Sequence, residues 1–186
     1  MDYYDLEPRI KMEATPGQEP AETSTTYQII PVRSVLDVKD ATTLFYQYAK
    51  WLNLDLGFQD FDAEMASMPG KYAPPRGELL LARTTEGGPV GCVAVRYLAE
   101  GICEMKRLFV TDAAKGLGIG KALVSAVIEA GSKLGYQDMR LDTLPHMEAA
   151  VNMYKSFGFV EIPPYYPTPL PGTVFLNLAL TRPPQP

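Results

Sequence analysis

The stretch TDAAKGLGIGKAL, Thr111 to Leu123, holds three glycines on alternate positions, Gly116, Gly118 and Gly120, with Lys115 and Lys121 on either side. Glycine destabilises helix and strand interiors, so such a cluster marks a backbone that turns sharply or lets a ligand come close. The apolar run EMKRLFV, Glu104 to Val110, precedes it, and a segment with helical spacing follows. N–H groups at the start of a helix are unpaired and carry partial positive charge, chemistry that suits a phosphate. Two phosphate motifs fail. A G-x-G-x-x-G fingerprint meets Lys121 or Leu123 at its last glycine, and a P-loop meets Lys115 and Ala122 at its first glycine and its metal-binding hydroxyl. A diphosphate held by main-chain amides fits, with Lys115 or Lys121 adding charge. The competing reading is a tight strand-to-helix turn without a ligand; three alternating glycines favour the ligand.

Other reactive groups are sparse. His146 is the single histidine, so a Ser-His-Asp arrangement would depend on that one imidazole. It sits in LDTLPHMEAA and reads first as a loop or cap residue, with lining of an acceptor site as the less favoured role. Cys92 and Cys103 read as small buried apolar residues rather than nucleophiles or a disulfide framework. No zinc-type spacing exists, and no metal is expected.

These residues need a scaffold, and 186 residues suffice for one domain plus a tail. The formal net charge is -5, and residues 1–24 carry six acids against two bases, so the rest is nearly neutral. That balance argues against nucleic acid as the main partner. Residues 1–24, rich in Pro, Glu and Thr, read as a disordered acidic tail. No signal peptide or membrane-length apolar run occurs, and two cysteines suit a reducing compartment, so the expectation is a soluble cytoplasmic protein.

From residue 25 to residue 182 a single domain is expected. Apolar periodicity predicts the order β-α-α-β-β-β-α-β-α-β-β. Ser34 is the expected N-cap of a helix from Val35 to Leu52. Three consecutive strands ending at Val110 form an antiparallel meander, and Gly135 and Gly158 each stand just past a helix. The fold class is α/β, of the α+β kind: a mixed, mostly antiparallel sheet of about seven strands with about four helices on it.

At this point a family resemblance emerges. KGLGIGKAL resembles the acetyl-CoA loop [Q/R]-x-x-G-x-[G/A] of the GCN5-related N-acetyltransferases (GNAT), with Lys115 in place of the usual Gln or Arg. EMKRLFV is similar to that family's fourth strand and AAVNMYKSFGF, Ala149 to Phe159, to its A-x-x-x-Y-x-x-x-G-F segment. The resemblance covers Gln28 to Leu180 and implies a sheet splayed between its fourth and fifth strands. It implies acetyl-CoA as co-substrate, held by Leu108, Phe109, Val110, Lys115, Gly116, Leu117, Gly118, Ile119, Gly120, Lys121 and Asn152.

Acetyl transfer to an amine requires removal of a proton, stabilisation of an oxyanion and departure of a thiolate. An alkylamine has a pKa of about 10.4, so a base helps at neutral pH. The resemblance nominates Glu104, which strand alternation groups with Lys106, Leu108 and Val110, opposite Cys103, Met105, Arg107 and Phe109. Pairing of Glu104 with Lys106 or Arg107 is the equally weighted alternative. Backbone N–H groups near Leu108 to Val110 are expected to meet the oxyanion. Tyr154 is the expected proton donor to sulfur, against a purely apolar role on its helical stripe. Tyr72 and Arg76, with Tyr165 or Tyr166, are the candidates for holding a small acceptor that bears a carboxylate, against an equal chance that these loops are only packed. The expected function is acetyl transfer to a small or amino-acid-like amine in a ternary complex. Partners are acetyl-CoA and that amine, with no nucleic acid and no membrane, and with a homodimer compatible. A peptide or protein acceptor, or an acyl-CoA-binding module without catalysis, are the alternatives.

Overall fold

A computed structural model of the chain describes residues 27–54, 57 and 60–180. The expected N-terminal tail lies outside the described residues. Strand β1 is Tyr27–Pro31, followed by helices α1, Val35–Leu52, and α2, Phe61–Ala66. The meander β2, Glu78–Thr84, β3, Pro89–Ala99, and β4, Ile102–Val110, comes next, then α3, Ile119–Lys133. Strand β5, Asp138–Thr143, helix α4, Glu148–Ser156, and strands β6, Val160–Ile162, and β7, Val174–Ala179, complete the order. It is the order the periodicity predicts.

Seven described strands form one sheet in the order β1-β2-β3-β4-β5-β7-β6. All neighbours are antiparallel except β4 and β5, which run parallel. Both faces of the central strands are buried, so their residues alternate between two cores. Leu80, Ala82, Val93 and Val95 join α3 residues Ile119, Leu123, Val124 and Val127 on one face. Leu79, Leu81, Cys92 and Ala94 join Ala41, Leu44 and Phe45 of α1 on the other. The three short-chain positions Gly91, Ala82 and Ala94 fit strands that are covered on both sides.

Helix α1 starts on a reciprocal cap. Ser34 Oγ accepts from the Asp37 N–H at 3.1 Å, and Asp37 Oδ2 accepts from the Ser34 N–H at 3.0 Å. These bonds from Ser34, with Arg83 behind them, hold the Asp37 carboxyl well below its ordinary range. A folded-state pKa below the unfolded one adds stability above the ordinary carboxylate range, lost as the pH falls through it. Ser34→Ala should therefore cost about 1 kcal/mol near neutral pH. In urea unfolding followed by circular dichroism, that deficit should shrink as the pH is lowered below about 4.

The pairing of β4 with β5 covers only Ile102↔Asp138, Cys103↔Met139 and Glu104↔Arg140. Beyond Glu104 and Arg140 both strands continue without a mutual partner, β4 to Val110 and β5 to Thr143. The sheet is thus splayed where the resemblance places a splay.

One expectation about β4 needs correction. Lys106 pairs with Ala94 but Phe109 with Cys92, so Val93 faces two residues, Arg107 and Leu108. This is a β-bulge, with Arg107 at φ +59° in the left-handed region that non-glycine residues rarely adopt. The inserted residue resets the alternation. Leu108 and Val110 pack with Cys103 and Met105 on the α3 face. Phe109 packs against Tyr48 and Trp51 of α1 with the opposite core. Leu108 and Val110 therefore do not share a face with Glu104.

Candidate functional site

At the splay a cavity of about 540 Å³ opens between β4 and β5. Its wall draws on both sides of the sheet: Met105, Leu108 and Tyr154 from the α3 side, Tyr48, Trp51 and Asp142 from the α1 side. The gap between the strands is therefore a passage through the sheet. Polar and apolar walls meet there.

The glycine segment follows directly on Lys115, which lines the cavity. Gly116 and Gly118 have φ of +83° and +76°, and a Cβ at either would meet nothing within 4 Å. Backbone conformation, with open space above it, explains these two glycines. Gly120 has ordinary φ, and a Cβ there would come within ordinary van der Waals distance of Met153 and Val110. Gly118 caps α3 without a side-chain bond, and the first main-chain bond of the helix runs from Ala122 N–H to the Gly118 carbonyl. Among the described residues, none accepts from the N–H groups of Gly116, Leu117, Gly118, Ile119, Gly120 or Lys121. Six consecutive amides are free for an acceptor outside the fold, beside a positive helix end. Lys115 lines the cavity, pairs with Asp112 and lies 5.4 Å from the Trp51 ring centroid. Lys121 is exposed on α3.

Tyr154 is buried on α4, and its ring meets Phe159 edge-on with centroids 5.8 Å apart. Burial pushes its phenol pKa well above the ordinary value, so the group keeps its proton. Asn152, on the same helix, is exposed and does not line the cavity.

Glu104 is 1% exposed and already partnered. Arg96 donates to Oε2 through Nε at 2.8 Å and Nη2 at 2.7 Å. The Tyr165 hydroxyl donates to Oε1 at 2.8 Å, and Lys106 Nζ stands 3.8 Å away. The ion-pair alternative gains support, with Arg96 as partner. Arg107, the other expected partner, instead forms a buried pair with Glu64 of α2 at 2.9 and 3.0 Å. Register explains both choices: Arg96 lies directly across from Glu104, and the bulge turns Arg107 toward α2. Tyr165 meets Tyr166 and Phe175 edge-on above this network.

Two acceptor candidates lie elsewhere. Tyr72 is 1% exposed in the α1 core, packed edge-on against Phe45, and donates to Glu64 at 3.0 Å. Arg76 stacks on Tyr97 with its guanidinium carbon 3.4 Å from the ring centroid, and its carbonyl accepts from Tyr136. Neither lines the cavity; the loop folds its polar groups back onto the domain. Only Tyr165 of that set joins the Glu104 network.

Sequence reasoning missed Tyr48, Trp51 and Asp142 on the cavity wall. For Asp142 a signal existed. Met139, Leu141 and Thr143 are the buried face of β5, so Asp138, Arg140 and Asp142 give this inner strand a polar second face. Lys106 Nζ donates to Asp142 Oδ1 at 2.9 Å.

Comparison with known proteins agrees with this geometry. The family model for the acetyltransferase (GNAT) family matches residues 45–159. An uncharacterized N-acetyltransferase of Schizosaccharomyces pombe is 42% identical over 155 residues, covering 83% of this chain and 95% of that one. An uncharacterized N-acetyltransferase of Dictyostelium discoideum is 31% identical, covering 77% of this chain and 94% of its own. A crystal structure of an acetyltransferase of the GNAT family from Staphylococcus aureus superposes with a TM-score of 0.70 at 21% identity. That match covers 84% of this chain and 100% of the other.

Proposed function

The chain belongs to the acetyltransferase (GNAT) family and is an acyltransferase, and from that premise we propose that it transfers acetyl from acetyl-CoA to the amine of a small molecule. The carrying observation is the row of free amides from Gly116 to Lys121 beside the open edge of β4. These donors fit the diphosphate of coenzyme A, and the unpaired β4 edge from Leu108 to Val110 fits an extended pantetheine arm. Lys115, and Lys121 on the next turn, add positive charge at that end. When bound, acetyl-CoA supplies an activated acyl group as a thioester. The neutral Tyr154 phenol donates a proton to the departing sulfur; the acceptor's ammonium sheds one proton to solvent before it attacks and a second as the amide forms, which restores the phenol. Glu104, locked to Arg96, positions Tyr165 over the acceptor side.

Direct transfer in a ternary complex is favoured over a covalent acetyl-enzyme. Both thiols are fully buried, and burial pushes Cys103 up to about 12 and Cys92 higher still, so neither offers a thiolate. Two reduced buried cysteines also suit a cytoplasmic setting. No helix among the described residues is long and apolar enough to cross a membrane.

Thiol release from acetyl-CoA over a panel of free amines and peptides tests the reading. Turnover with free amines is the expected result; turnover with peptides alone would replace the acceptor class, and tight CoA binding without any turnover would leave only a binding module. A sharper check is Gly118→Ala, which forces alanine to φ +76° at the cap of α3. Calorimetry should show acetyl-CoA affinity reduced about tenfold, equivalent to about 1.4 kcal/mol. Unchanged affinity would remove the amide row from the binding site.

A further inference from the structure

We propose that Asp142 receives the ammonium group of the acceptor, and that the acceptor is a compact amine without a carboxylate. The inference deepens the acetyltransferase reading and rests on it.

Carboxylates near the splay differ in what they have left to offer. Both oxygens of Glu104 are engaged, by Tyr165 and Arg96, and Glu104 is not on the cavity wall. Glu148 is on the wall but exposed in the first turn of α4. Asp142 is on the wall, with its side chain 15% exposed. A carboxylate has about four acceptor positions. Lys106 occupies one at 2.9 Å, which leaves capacity for an ammonium.

The surroundings suit a cation. Tyr48, Trp51 and Tyr154 line the same cavity, and aromatic faces beside a carboxylate attract alkylammonium groups. Burial raises the pKa of Tyr48, Tyr154, Tyr165 and Tyr166, and the negative charge of Asp142 adds to the rise in all four. Asp142 is thus within electrostatic reach of each phenol at the site.

The cations on the wall settle the other half of the proposal. Lys106 pairs with Asp142, Arg107 with Glu64 and Lys115 with Asp112. Among the described residues of the wall, no lysine or arginine is left without a carboxylate partner to bind an acceptor's carboxylate. An amino acid would therefore bring its anion to a wall whose lysines and arginine are already paired, where the exposed His146 is the remaining side chain able to carry positive charge. An amine of the same skeleton would not.

Phenethylamine and phenylalanine form a matched pair of probes. The full-length protein should acetylate phenethylamine with a kcat/KM at least tenfold above that of phenylalanine. Asp142→Asn should raise KM for phenethylamine roughly ten- to a hundredfold, the worth of a charge-assisted hydrogen bond, with KM for acetyl-CoA changed less than twofold. Should Lys106, left with Glu104 alone at 3.8 Å, unfold that variant, the double variant Lys106→Met Asp142→Asn carries the same expectation. Unchanged phenethylamine KM in a folded variant, or preference for phenylalanine, would overturn the proposal. Calorimetry of phenethylamine on the CoA-loaded protein reads Asp142 without turnover. Binding at least tenfold weaker in Asp142→Asn supports the role, and equal or absent binding in the parent overturns it. Absence of thiol release with every amine would instead sink the acetyltransferase reading.

Discussion

Arg107→Ala is expected to destabilise the fold by about 3–5 kcal/mol, because it leaves Glu64 buried, charged and without its counter-ion. Arg107 Nε and Nη2 reach Glu64 at 2.9 and 3.0 Å, and the guanidinium also lies over the Phe61 ring at 5.1 Å. Tyr72 donates to the same carboxylate, so two side chains depend on one anion. The pair further holds Arg107 at its positive φ, and with it the bulge that redirects β4. For a chain of this size the loss corresponds to a fall in melting temperature of roughly 6–20 °C. Arg107→Gly separates the two contributions. Glycine accepts the backbone conformation, so any strain is relieved, yet Glu64 is still orphaned. A loss as large as that of alanine assigns the cost to the ion pair. Full stability in Arg107→Gly would assign it to the backbone instead. In Glu64→Gln combined with Arg107→Ala the deficit should be smaller than in Arg107→Ala alone, since no unpaired charge remains.

The second large effect concerns the reaction. Tyr154→Phe should lower kcat about a hundredfold, at the modest end of general acid catalysis. The effect is limited because a thiol pKa near about 8.5 makes the thiolate a tolerable leaving group without help. Phenylalanine preserves the edge-on contact with Phe159 and removes only the hydroxyl, so melting temperature and KM for acetyl-CoA should hold. Equal kcat in the two proteins would show that the ring serves packing alone. The pH profile offers an independent check. Burial raises the Tyr154 pKa above its ordinary value of 10.0, so its deprotonation contributes no fall in rate below that pH. A limb of the profile near neutral pH has another origin.

The structure redistributes the acceptor side. A row of side chains, Arg96, Glu104, Arg140 and Asn177, crosses β3, β4, β5 and β7 at one level. Arg140 donates to Asn177 Oδ1 at 3.4 Å and lies 5.5 Å from the Tyr165 ring. Tyr165 joins this row through its bond to Glu104. The polar floor and the aromatic roof come from segments separated by about sixty residues, and neither has meaning without the other.

The chain's own residues determined the elements and the glycine turn with its row of free amides. Helical and strand periods are local, so α1, α3 and the meander were legible, as was the cap at Ser34. The amide row was legible too, because the alternating glycines and the start of the helix lie within the stretch Thr111 to Leu123. What only the tertiary structure decided is partnership. A single inserted residue at Arg107 moved Leu108 and Val110 to the other face, and no local signal marks which of the nine residues of β4 takes the bulge. Glu104 found Arg96, Arg107 found Glu64, and Tyr72 and Arg76 turned away from the cavity, each through contacts set by strand register and helix docking. Local preferences act over a few residues, whereas a charge buried in a sheet is partnered by whatever the neighbouring strand places across from it.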